Sequence, residues 1–496
     1  MPNSRLLLGI DLGSSATKAI LLDANLGIVA SSSRATILHS LHTGWAEADP
    51  SDWWRSVTEL IPELLTSVGA STSDVVGIAC SGMVPAVLCL DENRQPLRWA
   101  ILQNDARAYH EIAELRELLL GVDLLTLTGS VLTQQSVAPT ALWLARNEPE
   151  VWARTKYLVG SYDWLAMRLG ARNHVERNWA IESGIYNWDG SPVDAVLAAT
   201  GITWPELQLV VDPSTIVGSL STTVADEIGL AFETPIVVGG ADHVLSAFGA
   251  GLVDEGDWII KLGGAGDILA VSDDRFLDPR LYLDAHAIPG KWLPNGCMAT
   301  SGSALRWEQD LLGGVDLATL DLEAESSKPG ALLTLPYFLG EKSPLHDPDM
   351  RGGTMGLHLG TTRGDLHRSF LEAIAYGFRQ HMEIFTSRGL QLNSPRVTNG
   401  GSNSTLWKRI LADVIGVPLT PIVGHPGAAF GAAVIAGIAT ADISGWNQVN
   451  QFIRVGEPIE PDHANSAIYN ERFQNYIEFQ SSSSWLSHAL AKSGRS

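Results

Sequence analysis

The feature that most constrains the fold is a pair of similar segments, one at the start of the chain and one near its middle. The first reads LLLGIDLGSSATKAILLD and the second reads WIIKLGGAGDILAVSDD. Each consists of an apolar strand, a glycine-rich turn and a second apolar strand that ends in aspartate, which predicts a β-hairpin. The two lie much farther apart than solenoid repeats do, so they indicate a duplicated domain. We therefore expect two domains with a cleft between them.

The rest of the chain alternates between strand-like and helix-like segments. Short apolar runs closed by glycine or aspartate are typical of buried strands, and longer amphipathic runs are typical of helices. The mixture predicts an α/β fold. The predicted strands are Leu6–Ile10, Val75–Ala79, Pro235–Val238 and Trp258–Leu262, and the predicted helices include Ser51–Leu65 and Asp365–Phe385.

Turn-forming residues near the middle of the chain mark the predicted domain boundary. The stretch AFGAGLVDEGD is rich in glycine and acidic residues, as linkers between elements often are. We therefore assign residues 1–248 to an N-terminal domain and residues 249–480 to a C-terminal domain. The last residues, 481–496, are serine-rich, and we expect a frayed helix and a flexible tail there.

Composition narrows the classes of partner. The 496 residues include 33 Lys and Arg against 55 Asp and Glu, a net charge of −22, which argues against nucleic acid or an anionic membrane as a partner. A phosphate ligand remains compatible with this charge, because backbone N–H groups can bind it. The three cysteines show no disulfide or metal-ligand spacing. The first apolar run stops at Asp11, too early for a signal peptide, so we expect a cytoplasmic protein.

The turn of the first hairpin has the residue types of a phosphate site. Gly13 permits a tight turn, and the N–H and hydroxyl groups of Ser14 and Ser15 can cradle a phosphate. Asp11 stands at the mouth of the strand, where a carboxylate can hold Mg²⁺, and Lys18 adds a positive charge. A plain hairpin with a solvated aspartate explains the same residues, and the pattern alone leaves both interpretations open.

Two further glycine-rich turns are candidates for nucleotide contact. Flexible turns let a backbone approach a phosphate, and a turn that opens a helix can pass close to a base or ribose. Ordinary structural turns would have the same composition. Likewise, the small-residue run PGAAFGAA could serve helix packing alone. The candidate residues are Gly263, Gly264, Ala265 and Gly266 in one turn, and Gly400, Gly401, Ser402 and Asn403 in the other.

The motif GGADH follows the predicted strand Pro235–Val238 and places Asp242 at the carboxyl end of that strand. Ligands of open α/β sheets bind at this end. A carboxylate there suits general-base catalysis on a hydroxyl group during phosphoryl transfer. Asp242 could instead cap the helix that follows, and His243 is typical of a packing or supporting residue.

Other nucleotide-binding and hydrolase classes lack support. The chain contains no Gly-x-x-x-x-Gly-Lys-Ser/Thr loop, no set of protein-kinase motifs, no Gly-x-Ser-x-Gly elbow and no histidine-rich metal motif.

In their order along one chain, these motifs resemble the FGGY family of carbohydrate kinases, within the actin-like ATPase superfamily. GWAEADPSDWW, LPYFLGEKSPLHDPDMRGGTMGL and HRSFLEAIAYGFRQHMEIF look like further elements of that family. The similarity extends from Leu6 to Gly437, nearly the whole chain. The resemblance implies two ribonuclease-H-like domains around a central cleft, with sugar bound mainly by the first domain and nucleotide by the second.

The resemblance also implies cofactors and roles. ATP would be the phosphoryl donor, with Mg²⁺ held by Asp11 and phosphates facing the turn of Gly13, Ser14 and Ser15. Asp242 would be the catalytic base. The turn from Gly264 to Gly266 would lie against the transferred phosphate, and Gly400 to Asn403 would line the adenosine site.

The predicted sugar site includes four further residues. Met83 and Val84 lie in the stretch SGMVPA, and Asn104 and Asp105 lie in ILQNDARA, which resembles the family's Trp-Asn-Asp-x-Arg segment. The polar side chains of Asn104, Asp105 and Arg107 can hydrogen-bond a polyol, although Asp105 and Arg107 could equally form a structural ion pair.

Two positions depart from the family pattern. Many members carry threonine where this chain has Gly264, and xylulokinases carry histidine where it has Pro85. The first departure removes a hydroxyl from the phosphate turn, and the second removes an imidazole from the sugar site.

The sequence therefore predicts ATP-dependent phosphorylation of a small sugar, a ketopentose such as xylulose or ribulose. One alternative is a sensor of the same fold that binds sugar and nucleotide without turnover, and another is an actin-fold ATPase that uses no sugar. Dimers are common in the family, so the resemblance leaves a homodimer open.

Overall fold

The computed structural model describes residues 5–202, 208–425 and 427–493. In chain order its strands are β1 Leu6–Leu12, β2 Ala16–Asp23, β3 Gly27–Ala35, β4 Glu47–Ala48, β5 Val75–Gly82, β6 Leu88–Leu90, β7 Ala100–Ile101, β8 Tyr157–Val159, β9 Val175–Glu176, β10 Val210–Val211, β11 Ile216–Ser219, β12 Pro235–Ala241, β13 Trp258–Leu262, β14 Gly266–Ala270, β15 Tyr282–Ala285, β16 Trp292–Met298, β17 Leu333–Leu335, β18 Gly353–Met355, β19 Arg396–Thr398 and β20 Thr420–Pro421.

The α-helices alternate with these strands. They are α1 Pro50–Val68, α2 Tyr109–Leu118, α3 Leu124–Thr128, α4 Val137–Asn147, α5 Pro149–Arg154, α6 Ser161–Leu169, α7 Arg177–Glu182, α8 Asp194–Thr200, α9 Thr222–Ile228, α10 Asp242–Gly249, α11 Gly302–Leu311, α12 Leu317–Glu325, α13 Arg363–Ser387, α14 Thr405–Ile415, α15 Gly427–Ala439 and α16 His463–Ser493, with 3₁₀ turns at Thr72–Asp74, Gly400–Asn403 and Trp446–Phe452. Among the described residues, no helix combines the length and apolar character needed to cross a bilayer.

The chain divides into two compact units. The first comprises Met1–Val253, Leu283–Trp292 and Pro426–Ile453, and the second comprises Asp254–Tyr282, Leu293–His425 and Arg454–Ser496. The single boundary predicted after residue 248 does not describe this division, because two later segments pack with the first unit.

The sheet of the first unit has the strand order β11-β12-β5-β1-β2-β3. β1 runs parallel to β5 and antiparallel to β2, while β12 runs parallel to β5. Every residue of β1 is buried, as expected of a parallel strand covered on both faces. The carboxyl ends of β1, β5 and β12 therefore lie along one edge of this sheet.

The second unit repeats part of this topology. Its sheet includes, in order, β16-β14-β13-β19-β20. β13 is antiparallel to β14 and parallel to β19, and β14 is antiparallel to β16. The order β19-β13-β14-β16 thus has the same strand directions as β5-β1-β2-β3 of the first unit. This repeated order is what a duplicated domain requires, and both predicted hairpins are present.

The end of the chain differs from its prediction. Helix α16 continues to Ser493, and the side chains of Ser487 and Ala491 are buried in it. The expected helix is present, but it continues through residues 481–493 and packs against the fold instead of fraying into a flexible tail. Residues 494–496 lie outside the described part of the chain.

Candidate active site

The carboxyl ends of the three parallel strands bring two predicted site residues to one sheet edge. Asp11 of β1 pairs in register with Ser81 of β5, and Ser81 pairs with Gly240 of β12. Asp242 follows β12 directly and is the first residue of α10. The N-cap of α10 is Ala241, so the alternative of Asp242 as a helix cap is wrong. Its carboxylate lies instead in the first helical turn, where the helix dipole favours a negative charge.

The electrostatic environment of Asp11 is unusual for a carboxylate. Burial, followed by the negative charge of Asp242, raises the pKa of Asp11 to about 7, while its cross-strand neighbour Lys18 opposes this shift. Oδ1 of Asp11 is buried and has no hydrogen-bond partner among the described residues. A buried acceptor close to a second carboxylate is a place where a cation would satisfy both charges.

The predicted phosphate turn of the first hairpin is closed by a backbone hydrogen bond and is exposed at its tip. The N–H of Gly13 donates to the carbonyl of Ala16 at 3.1 Å, which closes the turn. Ser14 and Ser15 are both exposed, so the turn is accessible to a ligand. Thr36 holds the turn from the neighbouring strand, because its hydroxyl donates to the Gly13 carbonyl at 2.9 Å.

His243 connects Asp242 to a buried acidic pair. The backbone N–H of His243 donates to Oδ1 of Asp242 at 2.6 Å, and its Nδ1 lies 3.5 Å from the same oxygen. Its Nε2 lies 2.8 Å from Oδ2 of Asp284. Glu182 completes the cluster, since ligand-type atoms of Glu182, His243 and Asp284 all lie within 4.8 Å of one another.

The charges of this cluster are set by burial and by its own carboxylates. Burial pushes the pKa of His243 down, but Asp284 and Asp242 outweigh it, and the pKa lies well above the usual value. Burial and the charge of Asp284 raise the pKa of Glu182 well above its usual value. These directions favour a charged imidazole at His243 and a protonated carboxyl group at Glu182.

The predicted sugar residues have mixed outcomes. Met83 is 0% exposed and Val84 is 3% exposed, so the structure gives both side chains a packing position rather than a surface open to a ligand. Asn104 is exposed and can contact a solute.

Asp105 uses both carboxylate oxygens within the protein. Oδ1 accepts from Nε of Arg107 at 2.8 Å, and Oδ2 accepts from Nη2 of Arg107 at 2.7 Å and from the N–H of Ala46 at 2.6 Å. Arg107 also pairs with Glu47 at 2.8 Å and stacks 3.8 Å over the ring of Trp45. These contacts support the structural ion pair, the alternative to a sugar contact.

In the second unit, the turn of the second hairpin packs against the start of α11. The N–H groups of Ser301 and Ser303 donate to the Gly264 carbonyl at 2.8 and 3.1 Å, and that of Gly302 donates to the Gly263 carbonyl at 2.8 Å. A Cβ atom on Gly264 would lie 3.0 Å from Nη2 of Arg306. The guanidinium group of Arg306 thus occupies space that a side chain at position 264 would need.

Arg306 is exposed, and it forms no hydrogen bond or ion pair within the described ranges. The predicted nucleotide turn lies close to the same hairpin. A Cβ atom on Gly263 would lie 3.4 Å from Nδ2 of Asn399, and one on Gly401 would lie 2.7 Å from Cβ of Leu262.

The predicted glycine-rich turn does open a helix. Gly400–Asn403 forms a 3₁₀ turn, and Ser404 caps α14 by accepting the N–H of Trp407 at 3.0 Å. Asn399 has φ 72°, a conformation that costs about 1–3 kcal/mol for a residue other than glycine. Such backbone strain clusters at functional sites.

The predicted site residues are divided between the two units. The first unit contains Asp11, Gly13, Ser14, Ser15, Lys18, Met83, Val84, Asn104, Asp105 and Asp242, and the second contains Gly263, Gly264, Ala265, Gly266, Gly400, Gly401, Ser402 and Asn403. Glu182, Asp284 and Arg306 were not predicted. They belong to no motif, and only the fold brings them to the site residues.

Comparison with known proteins identifies relatives over nearly the whole chain. A xylulose kinase of Rhodospirillum rubrum of known structure is 38% identical, with a TM-score of 0.92, covering 98% of this chain and 100% of its own. The xylulose kinase of Staphylococcus epidermidis is 29% identical, covering 95% of each chain. That of Escherichia coli is 28% identical, covering 95% of this chain and 97% of its own.

The fold and these relatives define the class of the protein as a sugar kinase with the actin-like ATPase fold, which phosphorylates a sugar with ATP. The family model described as "FGGY family of carbohydrate kinases, N-terminal domain" matches residues 6–249, and the model of the C-terminal domain matches residues 278–440. The chain belongs to the FGGY family of carbohydrate kinases.

Proposed function

We propose that the chain transfers the terminal phosphoryl group of ATP to a hydroxyl of a ketopentose, with xylulose as the first candidate and ribulose as the second. Support comes from the relatives of Rhodospirillum rubrum, Staphylococcus epidermidis and Escherichia coli, all named xylulose kinases. ATP is available in the cytoplasm, where we place the protein.

The single observation that carries the assignment of roles is the proximity of Asp242 to Asp11. Both stand at the carboxyl edge of the parallel strands, and the charge of Asp242 contributes to the raised pKa of Asp11. Asp11 is buried, whereas the Asp242 side chain is 33% exposed. Asp242 is therefore the carboxylate that can reach a sugar hydroxyl and accept its proton.

The residues at Asp11 fit a Mg²⁺ ion. Oδ1 of Asp11 is buried and has no hydrogen-bond partner among the described residues, and Asp242 is close to it. Mg²⁺ prefers such carboxylate oxygens as ligands. Bound there, Mg²⁺ would neutralise charge on the phosphate oxygens of ATP. Asp11 would hold the ion directly or through water.

We propose the glycine-rich turns as contacts of ATP. Ser14 and Ser15 present exposed donors for phosphate, and Lys18 adds a charge. In the second unit, Gly263 to Gly266 would face the transferred phosphate, and Gly400 to Asn403 would face adenosine. Many family members have threonine at the position of Gly264, so this turn lacks a hydroxyl donor. The guanidinium of Arg306, which lies beside Gly264, would supply hydrogen-bond donors in its place.

Two residues bear on the identity of the sugar. Pro85 stands where xylulokinases have histidine, so the acceptor contacts must differ from theirs, and Asn104 is the exposed amide of the predicted sugar segment. A screen of ADP release over D-xylulose, D- and L-ribulose, tetruloses and erythritol tests the substrate class. ADP release that no added sugar accelerates would contradict the proposal.

The role of Asp242 is tested by Asp242→Asn, with Asp194→Asn as the matched control. Both aspartates are the first residue of a helix in the same unit, α10 and α8. We expect Asp242→Asn to lower kcat by roughly 10²–10⁴-fold and Asp194→Asn to leave it unchanged. Full turnover in Asp242→Asn would exclude Asp242 as the base.

A further inference from the structure

The two carboxylate oxygens of Asp242 have different surroundings. Oδ1 accepts the backbone N–H of His243 at 2.6 Å and lies 3.5 Å from its Nδ1. Oδ2 has no hydrogen-bond or ion-pair partner within the part of the chain that the structure describes. One oxygen is therefore fixed by its neighbour, and the other is open to a solute.

The imidazole whose Nδ1 lies beside Oδ1 is itself held from the opposite side. Nε2 of His243 lies 2.8 Å from Oδ2 of Asp284, whose side chain is only 4% exposed. Glu182, the last residue of α7, has a buried Oε1 without a hydrogen-bond partner among the described residues and lies beside Asp284. A buried carboxylate that accepts from one imidazole nitrogen fixes the ring and directs the other nitrogen.

We propose that His243 and Asp284 are positioning residues, which hold Asp242 through Oδ1 so that Oδ2 accepts the proton of the sugar hydroxyl. This inference rests on the proposed function. As the O–H bond of the sugar breaks, a bond forms between the proton and Oδ2. The sugar oxygen bonds to the terminal phosphorus of ATP, and the bond from that phosphorus to the ADP oxygen breaks.

The arrangement matters because a base must be aligned with the proton it removes. A misplacement of about 1 Å at a reacting group can cost on the order of a hundredfold in rate. Asp242 is partly exposed, so its side chain would rotate without a tether. The carboxylates of Asp284 and Asp242 raise the pKa of His243 against the opposing effect of burial, which favours a positive charge beside Oδ1.

The test uses His243→Gln and Asp284→Asn in the full-length protein, with ADP release measured at saturating sugar. We expect each variant to lower kcat roughly ten- to a hundredfold, while the KM for ATP stays within about twofold of that of the parent. His110→Gln is the control, because His110 is an exposed histidine of the same unit. Asp284→Asn keeps the shape of the side chain, so it remains informative if His243→Gln does not fold.

The kcat values of double variants distinguish a role through Asp242 from a purely structural role. If both residues act through Asp242, the His243→Gln/Asp284→Asn double variant will be no slower than the slower single variant. In an Asp242→Asn background, His243→Gln will cause no further loss. Further loss in that background, or normal kcat in both folded single variants, would overturn the inference.

The outcomes also separate this inference from the proposed function. Sugar-dependent turnover that Asp242→Asn abolishes but His243→Gln and Asp284→Asn leave intact would refute the positioning role alone. Turnover unaffected by Asp242→Asn would refute the proposed base. A divalent metal ion that copurifies with the parent protein and is lost in Asp284→Asn would show that the cluster is a metal site, which would also overturn the inference.

Discussion

A Cβ atom on Gly9 would lie 1.9 Å from the carbonyl oxygen of Ala429, so β1 and α15 meet with no room for a side chain between them. The same Cβ would lie 2.8 Å from the N–H nitrogen of Ala433. Small residues on both elements therefore let the helix backbone rest directly on the strand. Residues of α15 from Ala428 to Gly437 are buried, and packing explains the small-residue composition of this helix without a ligand.

Substitution of Gly9 by alanine is expected to destabilise the first unit. The added methyl must displace the backbone of α15, an overpacking that costs about 1–3 kcal/mol. Thermal unfolding should show a lower Tm. Gly121→Ala is the control, because a Cβ atom on Gly121 would have no neighbour within 4 Å. An unchanged Tm for Gly9→Ala would contradict the close contact.

The Asp105 ion pair is expected to act on stability. Asp105→Asn removes the charge opposite the buried guanidinium of Arg107 and turns an acceptor into a donor beside the N–H of Ala46. Breaking such a buried pair costs about 3–5 kcal/mol, although Glu47 still faces Arg107 and will reduce this loss. Denaturant unfolding measures the change.

Asn104→Ala is the neighbouring control for that experiment. Asn104 is exposed, so its truncation should change stability by less than about 0.5 kcal/mol. If Asn104 contacts the sugar, the KM for the sugar will rise in this variant. Equal stability of Asp105→Asn and the parent would argue that the pair is not structural.

Local patterns were sufficient to predict the two hairpins and the long helices α1 and α13. The apolar run beginning at Leu6 and the turn at Gly13 are determined by neighbouring residues, so β1 and β2 were predictable. The rule that ligands bind at the carboxyl ends of strands in open sheets also identified Asp242 as a candidate site residue. These inferences need no knowledge of distant contacts.

Other features depend on residues that are far apart in the sequence. Asp284 reaches His243 from β15, and no spacing rule connects them. The serine-rich end of α16 is helical because the fold buries Ser487 and Ala491, a tertiary effect that outweighs composition. The assignment of α15 to the first unit likewise depends on its contact with β1.

The pH dependence of stability in the second unit should report on His367. Its Nδ1 lies 2.7 Å from Oε2 of Glu308 and its Nε2 lies 3.0 Å from Oδ1 of Asp321. Burial lowers the pKa of His367, but Asp321 and Glu308 together raise it to about 9. The protonated His367 therefore stabilises the folded state fully below the pKa of an unfolded histidine, about 6.5. This stabilisation is lost as the pH rises through 9.

The shift corresponds to about 3 kcal/mol of unfolding free energy at most. Urea unfolding between pH 6 and pH 10 should show a decline in the parent that is absent in His367→Gln. His463→Gln, which changes an exposed histidine of the same unit, should keep the decline. Parallel stability curves for the parent and His367→Gln would show that His367 does not carry this charge.

Arg306 provides the last prediction, which concerns ATP. Its guanidinium is exposed next to Gly264, and a hydrogen bond between a cation and phosphate contributes about 1.5–3 kcal/mol. We expect Arg306→Gln to lower kcat/KM for ATP by roughly ten- to a hundredfold, with the KM for the sugar unchanged. Arg306→Lys should recover part of this loss, because lysine keeps the charge but not the planar donors.

The control for Arg306 is Arg454→Gln, an exposed arginine of the same unit that lies in no predicted site. Gly264→Thr gives a complementary result. Its Cβ would lie 3.0 Å from Nη2 of Arg306, so the new side chain must push the guanidinium away while it adds a hydroxyl to the turn. If Arg306 replaces that hydroxyl, Arg306→Gln will cost less in the Gly264→Thr background than alone. An equal loss of kcat/KM for ATP in both backgrounds would mean that residues 264 and 306 contribute to phosphate binding independently.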